Sequence, residues 1–156
     1  MTTKLLAVLT NRLFVAGLLC CLWVATDANT ASAQALTNPI CTTKIVKAPA
    51  PQPDYWQNSG TVSVTNIPAN TMTVSTTFQF ERRAKGAFNW TVMYSVGLQT
   101  TPVNGVANFD TGFTTFTPAP GAGEEFRVYI SGYYVNGMGM RTNIPPAESP
   151  IRTPIP

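Results

Sequence analysis

The sequence predicts an all-β domain, a small antiparallel sandwich of two sheets with six or seven strands. Three observations lead there. Between Gly60 and about Asn143, apolar side chains recur at every second residue. Turn residues interrupt these runs at intervals, and no stretch after residue 33 carries a helical period.

The strands follow in order. Val62 and Val64 alternate with Thr61, Ser63 and Thr65. In TMTVSTTFQFE, Met72, Val74, Thr76, Phe78 and Phe80 share one face, and Thr71, Thr73, Ser75, Thr77, Gln79 and Glu81 share the other. One apolar and one polar face suit an antiparallel sheet packed on a single side. Lys85-Gly86 offers a turn. Phe88, Trp90, Val92, Tyr94 and Val96 then fall on one parity, opposite Asn89, Thr91, Met93 and Ser95. Asn104-Gly105 is a hairpin signal because both residues tolerate positive φ. VANFDTGFTTF follows as a less regular strand or strand pair, bent at Gly112. After PAPGAG, EEFRVYISGYYVNG alternates cleanly through Ile130, and Asn136-Gly137 offers a second hairpin. The expected core unites Trp90, Val92 and Tyr94 with Val74, Phe78, Phe126, Val128 and Ile130, leaving Thr73, Thr91 and Arg127 in water.

Outside this domain the composition changes. Residues 1–33 resemble an export signal. Lys4 and Arg12 precede the apolar run Leu13–Val24, which is too short to span a bilayer, and Ala31-Ser32-Ala33 is a small-x-small cleavage pattern. An uncleaved anchor and a lipoprotein acylated at Cys20 or Cys21 are the alternatives. Residues 34–59, with KAPAPQPD, are expected to form a proline-rich extended lead-in. Residues 60–143 form the sandwich, and residues 144–156 a proline-rich tail unsuited to the interior of a sheet.

The segment PAPGAGEEFRVYISGYYVNGMGM resembles the end of a fibronectin type III module. That family enters its sixth strand through a Pro-Gly turn, alternates along it, and turns at Asn-Gly into its last strand. The resemblance implies an immunoglobulin-like sandwich and an adhesion, spacer or binding role. Phe126 stands where the family has a tyrosine, and Phe78 or Phe80 where it has a tryptophan. With no Arg-Gly-Asp tripeptide, integrin binding is not implied.

The residue inventory leaves little room for catalysis. The chain has no histidine, which removes Ser-His-Asp and Cys-His arrangements and histidine-based zinc sites. After residue 33, Cys41 is the one cysteine, so an intramolecular disulfide and a multi-cysteine metal site are not expected there. Cys41 reads as a small buried hydrophobe, with a partner-linking thiol the alternative. Glu124 and Glu125 are neighbours on a strand and should face opposite ways, which does not suit a glycosidase pair. Asp110-Thr111-Gly112 reads as a bend, and no calcium-loop spacing occurs. No catalytic residue, cofactor or metal is expected. Eight Lys or Arg face six acids after residue 33, without a long basic run, so no nucleic-acid partner is expected. Nor is a membrane span after cleavage.

Aromatic binding remains. Tyr129 and Tyr133 share the outward parity. If their strand pairs with the one carrying Thr91, Met93 and Ser95, Met93 joins them, and Trp56 is a further candidate. Tyr55-Trp56 or the tail folding over this face is the plain alternative. The expectation is an exported, non-enzymatic interaction, adhesion or structural module, periplasmic, at the cell surface or secreted, with a protein or polysaccharide partner. A small carbohydrate-binding module using those tyrosines is the second reading. Mass spectrometry of the native protein should find an N-terminus at or within a few residues of Gln34; an intact Met1 in a membrane fraction would refute cleavage.

Overall fold

Alternation along β3 (Thr71–Ala84) and β7 (Glu124–Asn136) sets one face of each strand against water and the other inward. The two strands pair antiparallel along their length, so Phe78 lies opposite Ile130 and Phe80 opposite Val128. All four are fully buried, as are Val74 and Phe126. In this computed structural model, which describes residues 34–116 and 123–154, they form one wall of a core closed by a second sheet. The expected export signal and the turn residues 117–122 lie outside the described residues.

Among the described residues there are eight strands, no helix and two antiparallel sheets, so the chain is a small β-sandwich. One sheet has the order β1-β2-β5, from β1 (Ala35–Val46), β2 (Tyr55–Thr65) and β5 (Ala107–Asp110). The short β6 (Thr114–Phe116) also pairs with β2. The other has the order β4-β3-β7-β8, with β4 (Thr91–Thr100) and β8 (Arg141–Glu148) at its edges. Val62, Val64, Trp56 and Phe109 face across to the phenylalanines of β3 and β7. Gly60 lets the sheets meet closely: a Cβ there would stand 2.9 Å from a ring carbon of Phe78. Asn104 (φ 52°) and Gly105 (φ 74°) make the tight turn between β4 and β5. Gly86 (φ 78°) turns the chain after β3.

The structure corrects both expected boundaries. The segment 34–59 is not a free lead-in, for it contains β1 and the first half of β2. Pro39 sits in a register shift between Thr37 and Ile40, on a strand that pairs only with β2. A sheet edge tolerates proline there because the missing N–H interrupts no ladder. The prolines of KAPAPQPD form the β1–β2 connection, clipped at its base by the Lys47–Asp54 ion pair at 2.8 Å. At the other end, β8 runs through Pro145 and Pro146 as an edge strand, with a register shift where those prolines lie. Beyond it, Arg152 and Phe126 exchange both backbone hydrogen bonds at 2.8 Å, tying part of the expected tail to β7.

A second correction concerns parity. The β3–β4 register shifts between Phe80 and Glu81: Phe80 pairs with Tyr94 but Glu81 with Val92, leaving Met93 as the extra residue of a bulge. A bulge carries every residue beyond it to the opposite face. Tyr94 and Val96 therefore point inward as expected, with Tyr94 stacked on Phe80 at 4.4 Å. Val92 is 47% exposed and Phe88 96%. Trp90 lies on the outer face between the guanidinium groups of Arg83 and Arg127, 4.3 and 4.4 Å from its ring. A similar shift between Thr71 and Thr73 leaves Met72 60% exposed.

These placements set the order of mutational costs. Phe78→Ala should destabilise by ~3–5 kcal/mol, comparable with the whole stability of a small domain. Trp90→Ala, which removes stacking on two arginines rather than core volume, should cost ~1–2 kcal/mol. Denaturant melts check the order; a Trp90 variant less stable than the Phe78 variant would contradict it.

Candidate functional site

The outer face of the four-stranded sheet is built in rows by strand register. One row runs Ser95, Gln79, Tyr129, Glu148, and another Gln99, Ser75, Tyr133, Asn143. Between them lies a row of small residues, Gly97, Thr77 and Ser131. Tyr129 and Tyr133 are thus four residues apart on one unbroken side of β7, roughly 13 Å at the usual strand rise.

The result is a trough of about 340 Å³. Thr77, Ser131 and Gly132 make its floor, Tyr129 and Tyr133 its walls, and Arg141, Asn143 and Pro146 of β8 its far side. Gly132 holds β7 close to β3, since a Cβ there would come within 2.9 Å of the Ser75 carbonyl oxygen. The Arg141 guanidinium lies over the Tyr133 ring, 3.6 Å from its centroid.

Ion pairs crowd the sheet on the Tyr129 side of the trough. Arg83 Nε donates to Glu125 Oε2 at 2.7 Å, and Arg127 Nε to Glu81 Oε2 at 2.6 Å. Arg127 Nη1 also donates to Glu148 Oε2 at 2.5 Å, so this guanidinium links β3, β7 and β8. Trp90 covers Arg83 and Arg127. Glu124 and Glu125 are both within salt-bridge distance of arginine.

Of the four residues singled out from the sequence, the structure brings Tyr129 and Tyr133 together and separates the others. Met93 is the bulge residue of β4 and packs against the core. It stands away from β7 because β3 lies between them. Trp56 is 4% exposed and stacks inside the sandwich on Phe116 and Phe126, at 4.8 and 4.9 Å. Neither belongs to the trough, and Trp56 does not cover the tyrosines. Arg141 and Asn143 were not singled out from the sequence. Their signal was partial: Asn136-Gly137 marks a hairpin that brings the next strand beside β7, but a two-residue turn there would set Met140 opposite Tyr133, whereas the longer turn observed sets Asn143 opposite Tyr133 and Arg141 opposite Val135. Trp90 had no such signal, because a one-residue bulge leaves no mark on the alternation of β4.

A smaller recess of about 190 Å³ lies at the edge of β1, lined by Ile40 to Thr43 with Arg152 and Thr153. Cys41 is buried there, and burial pushes its thiol up to about 11, against a slight lowering by the Thr43 hydroxyl. The thiol is protonated at neutral pH and is no nucleophile. No three His, Cys, Asp or Glu among the described residues gather where they could hold a metal ion. None of the helices described is long and apolar enough to cross a membrane, there being none at all.

No protein-family model matches the chain, and no curated protein does. Two solved structures are similar to it at low level. One is a Northeast Structural Genomics Consortium target, SoR45, at 13% identity and TM-score 0.34, covering 72% of this chain and 86% of its own. The other is the putative ApaA protein from Bordetella pertussis, at 15% identity and TM-score 0.38, covering 75% and 94%. Both scores are too low for either likeness to bear on fold or function.

The buried thiol gives a direct check on this part of the fold. At pH 8, alkylation mapped to the Cys41 peptide should be at least about a hundredfold slower in the native chain than in denaturant, since both thiolate fraction and access are reduced. Equal rates would show that Cys41 is not enclosed by β1 and the Arg152 segment.

Proposed function

We propose that the chain is an exported, non-enzymatic β-sandwich module that works by binding, and that its ligand is a polysaccharide held in the trough between Tyr129 and Tyr133. One observation carries this reading. Two partly exposed tyrosines flank a floor of hydroxyl-bearing residues on a rigid sheet face. A sugar ring has C–H faces that lie against aromatic rings and an equatorial rim of hydroxyls that hydrogen-bond, and the trough offers both kinds of partner. Its volume is near the lower end of the range for ligand sites, ~300–1,000 Å³.

Export rests on residues 1–33, with their basic start, short apolar run and Ala-Ser-Ala cleavage pattern. An exported module would work in the periplasm, at the cell surface or outside the cell, where a polysaccharide is within reach. The absence of histidine from the sequence and the lack of a carboxylate along the trough favour a binder over a hydrolase. By analogy with the fibronectin type III modules that residues 118–140 resemble, an adhesion or spacer role for the same module is the second reading.

Retention on insoluble polysaccharides tests the reading. The full-length chain should be retained by at least one of cellulose, chitin, isolated cell-wall sacculi or immobilised polygalacturonate. Tyr129→Ala with Tyr133→Ala should abolish retention while leaving the melting transition within a few degrees. Retention unchanged in the double variant, or no retention on any support, would overturn it.

A further inference from the structure

We infer that the sugar chain taken by the trough carries a carboxylate, and that Arg141 is the residue that selects it; this rests on the polysaccharide reading above. The charge arrangement of the sheet points there. Arg82, Arg83 and Arg127 each stand within 4 Å of at least one glutamate, among Glu124, Glu125, Glu81 and Glu148. Arg141, on the same sheet, makes no ion pair among the described residues. Among the described residues it is the one positive charge lining the trough, and none of them brings a carboxylate to the lining. Glu148, opposite Tyr129 in the register, is engaged by Arg127. An anion entering the trough therefore meets a cation and no like charge along its walls.

Arg141 is also held in a form suited to this task. With its Cζ 3.6 Å from the Tyr133 centroid, the guanidinium uses its flat face for stacking. Its N–H groups lie along the edge of the same plane and stay available. That edge is a fork that matches the two oxygens of a carboxylate, whereas a lysine ammonium would act as a point charge. Stacking restrains the long side chain before the ligand arrives, so less rotamer freedom is lost on binding. Asn143, next to Tyr133 across the strands, adds an amide that can donate to or accept from ring hydroxyls. The combination of aromatic walls, hydroxyl floor and one forked cation matches a uronic acid residue within a chain.

The deciding comparison is polygalacturonate against its methyl ester, which have the same sugars and linkage, with alginate as a second acidic polymer. The full-length chain is titrated with polygalacturonate, with alginate, and with fully methyl-esterified polygalacturonate, whose sugars are the same but uncharged. Affinity for an acidic polymer should exceed that for the ester by about tenfold or more, as expected for one charge-assisted bidentate contact. The excess should shrink as salt is raised. Arg141→Gln should bring the acidic polymer down to the level of the ester measured with the same variant, so that the acid-to-ester ratio falls to about one; Arg141→Lys should recover part of the excess. Equal affinity for acid and ester would overturn the inference while leaving the polysaccharide reading intact, and this arm needs no variant to fold. An Arg141→Gln variant that keeps the full excess would do the same. Binding to none of the acidic, esterified or neutral polymers would sink the polysaccharide reading, and this inference with it.

Discussion

The pairing of β3 with β7 is the constraint on which the rest of the structure depends. Its register sets Phe78 against Ile130 and Phe80 against Val128 on one side, and Gln79 against Tyr129 and Thr77 against Ser131 on the other. A slip of one residue would exchange these faces, exposing the phenylalanines and burying arginine and glutamate. The penalty for that exchange is large, since the inward side chains are fully enclosed. The trough therefore inherits its geometry from the core. Tyr129 and Tyr133 stand where they do because Val128, Ile130 and Phe126 must face the other sheet.

Two close approaches keep this arrangement from loosening. On the inner side, Gly60 of β2 leaves room for the Phe78 ring. At the centre of the β3–β7 ladder, Gly132 lets the backbones meet where a Cβ would press on a carbonyl oxygen. On the outer side, Arg127 ties Glu81 to Glu148 across three strands beneath Trp90. Single exposed ion pairs stabilise little, but this guanidinium is only partly accessible and its two partners are fixed by the sheet. Its effect is to fill the face beside Tyr129, leaving the sheet open between the two tyrosines, along β8 and at the outward residues Ser95, Gly97 and Gln99 of β4.

Much of this could be seen in the sequence, and the failures share a cause. Regular alternation matches the observed faces along Val74–Phe80, Phe126–Ile130 and Val62–Val64, where no shift interrupts the β3–β7 or β2–β5 pairing, whereas Met72, at the shift between Thr71 and Thr73, is exposed. The lead-in was misjudged because its signals are those of an edge strand: Pro39 breaks the run, and the inward residues of CTTKIV include threonine and cysteine rather than large aliphatics. Trp56 reads as a surface aromatic for the same reason, since a residue in a linker has no inward face, whereas in β2 it is buried. Trp90 and Met93 changed sides because of one inserted residue, an event that depends on how β4 meets β3 and not on β4 alone. Tyr129 and Tyr133 were legible because both lie on the most regular strand of the molecule. Arg141 belongs to the opposite strand of a hairpin, and its place opposite Val135 depends on a turn longer than the two residues that Asn136-Gly137 signals.

A binding surface on a sheet face differs in kind from one made of loops. Here each wall of the trough is a residue whose backbone is hydrogen-bonded on both sides, between β3 and β8. Little ordering is left to be done when a ligand arrives, so affinity can come from few contacts. The same rigidity would make a ligand site here selective by spacing, because the ladders fix the backbone positions of Tyr129 and Tyr133. An arginine stacked beside them fits this logic. A free side chain would have to be ordered by the ligand, whereas one lying on Tyr133 already presents its donors along the rim of the trough. If carboxylate recognition is the task, the stack on Tyr133 and the absence of a competing glutamate are parts of one device: the first fixes the direction of the fork, and the second leaves it unoccupied.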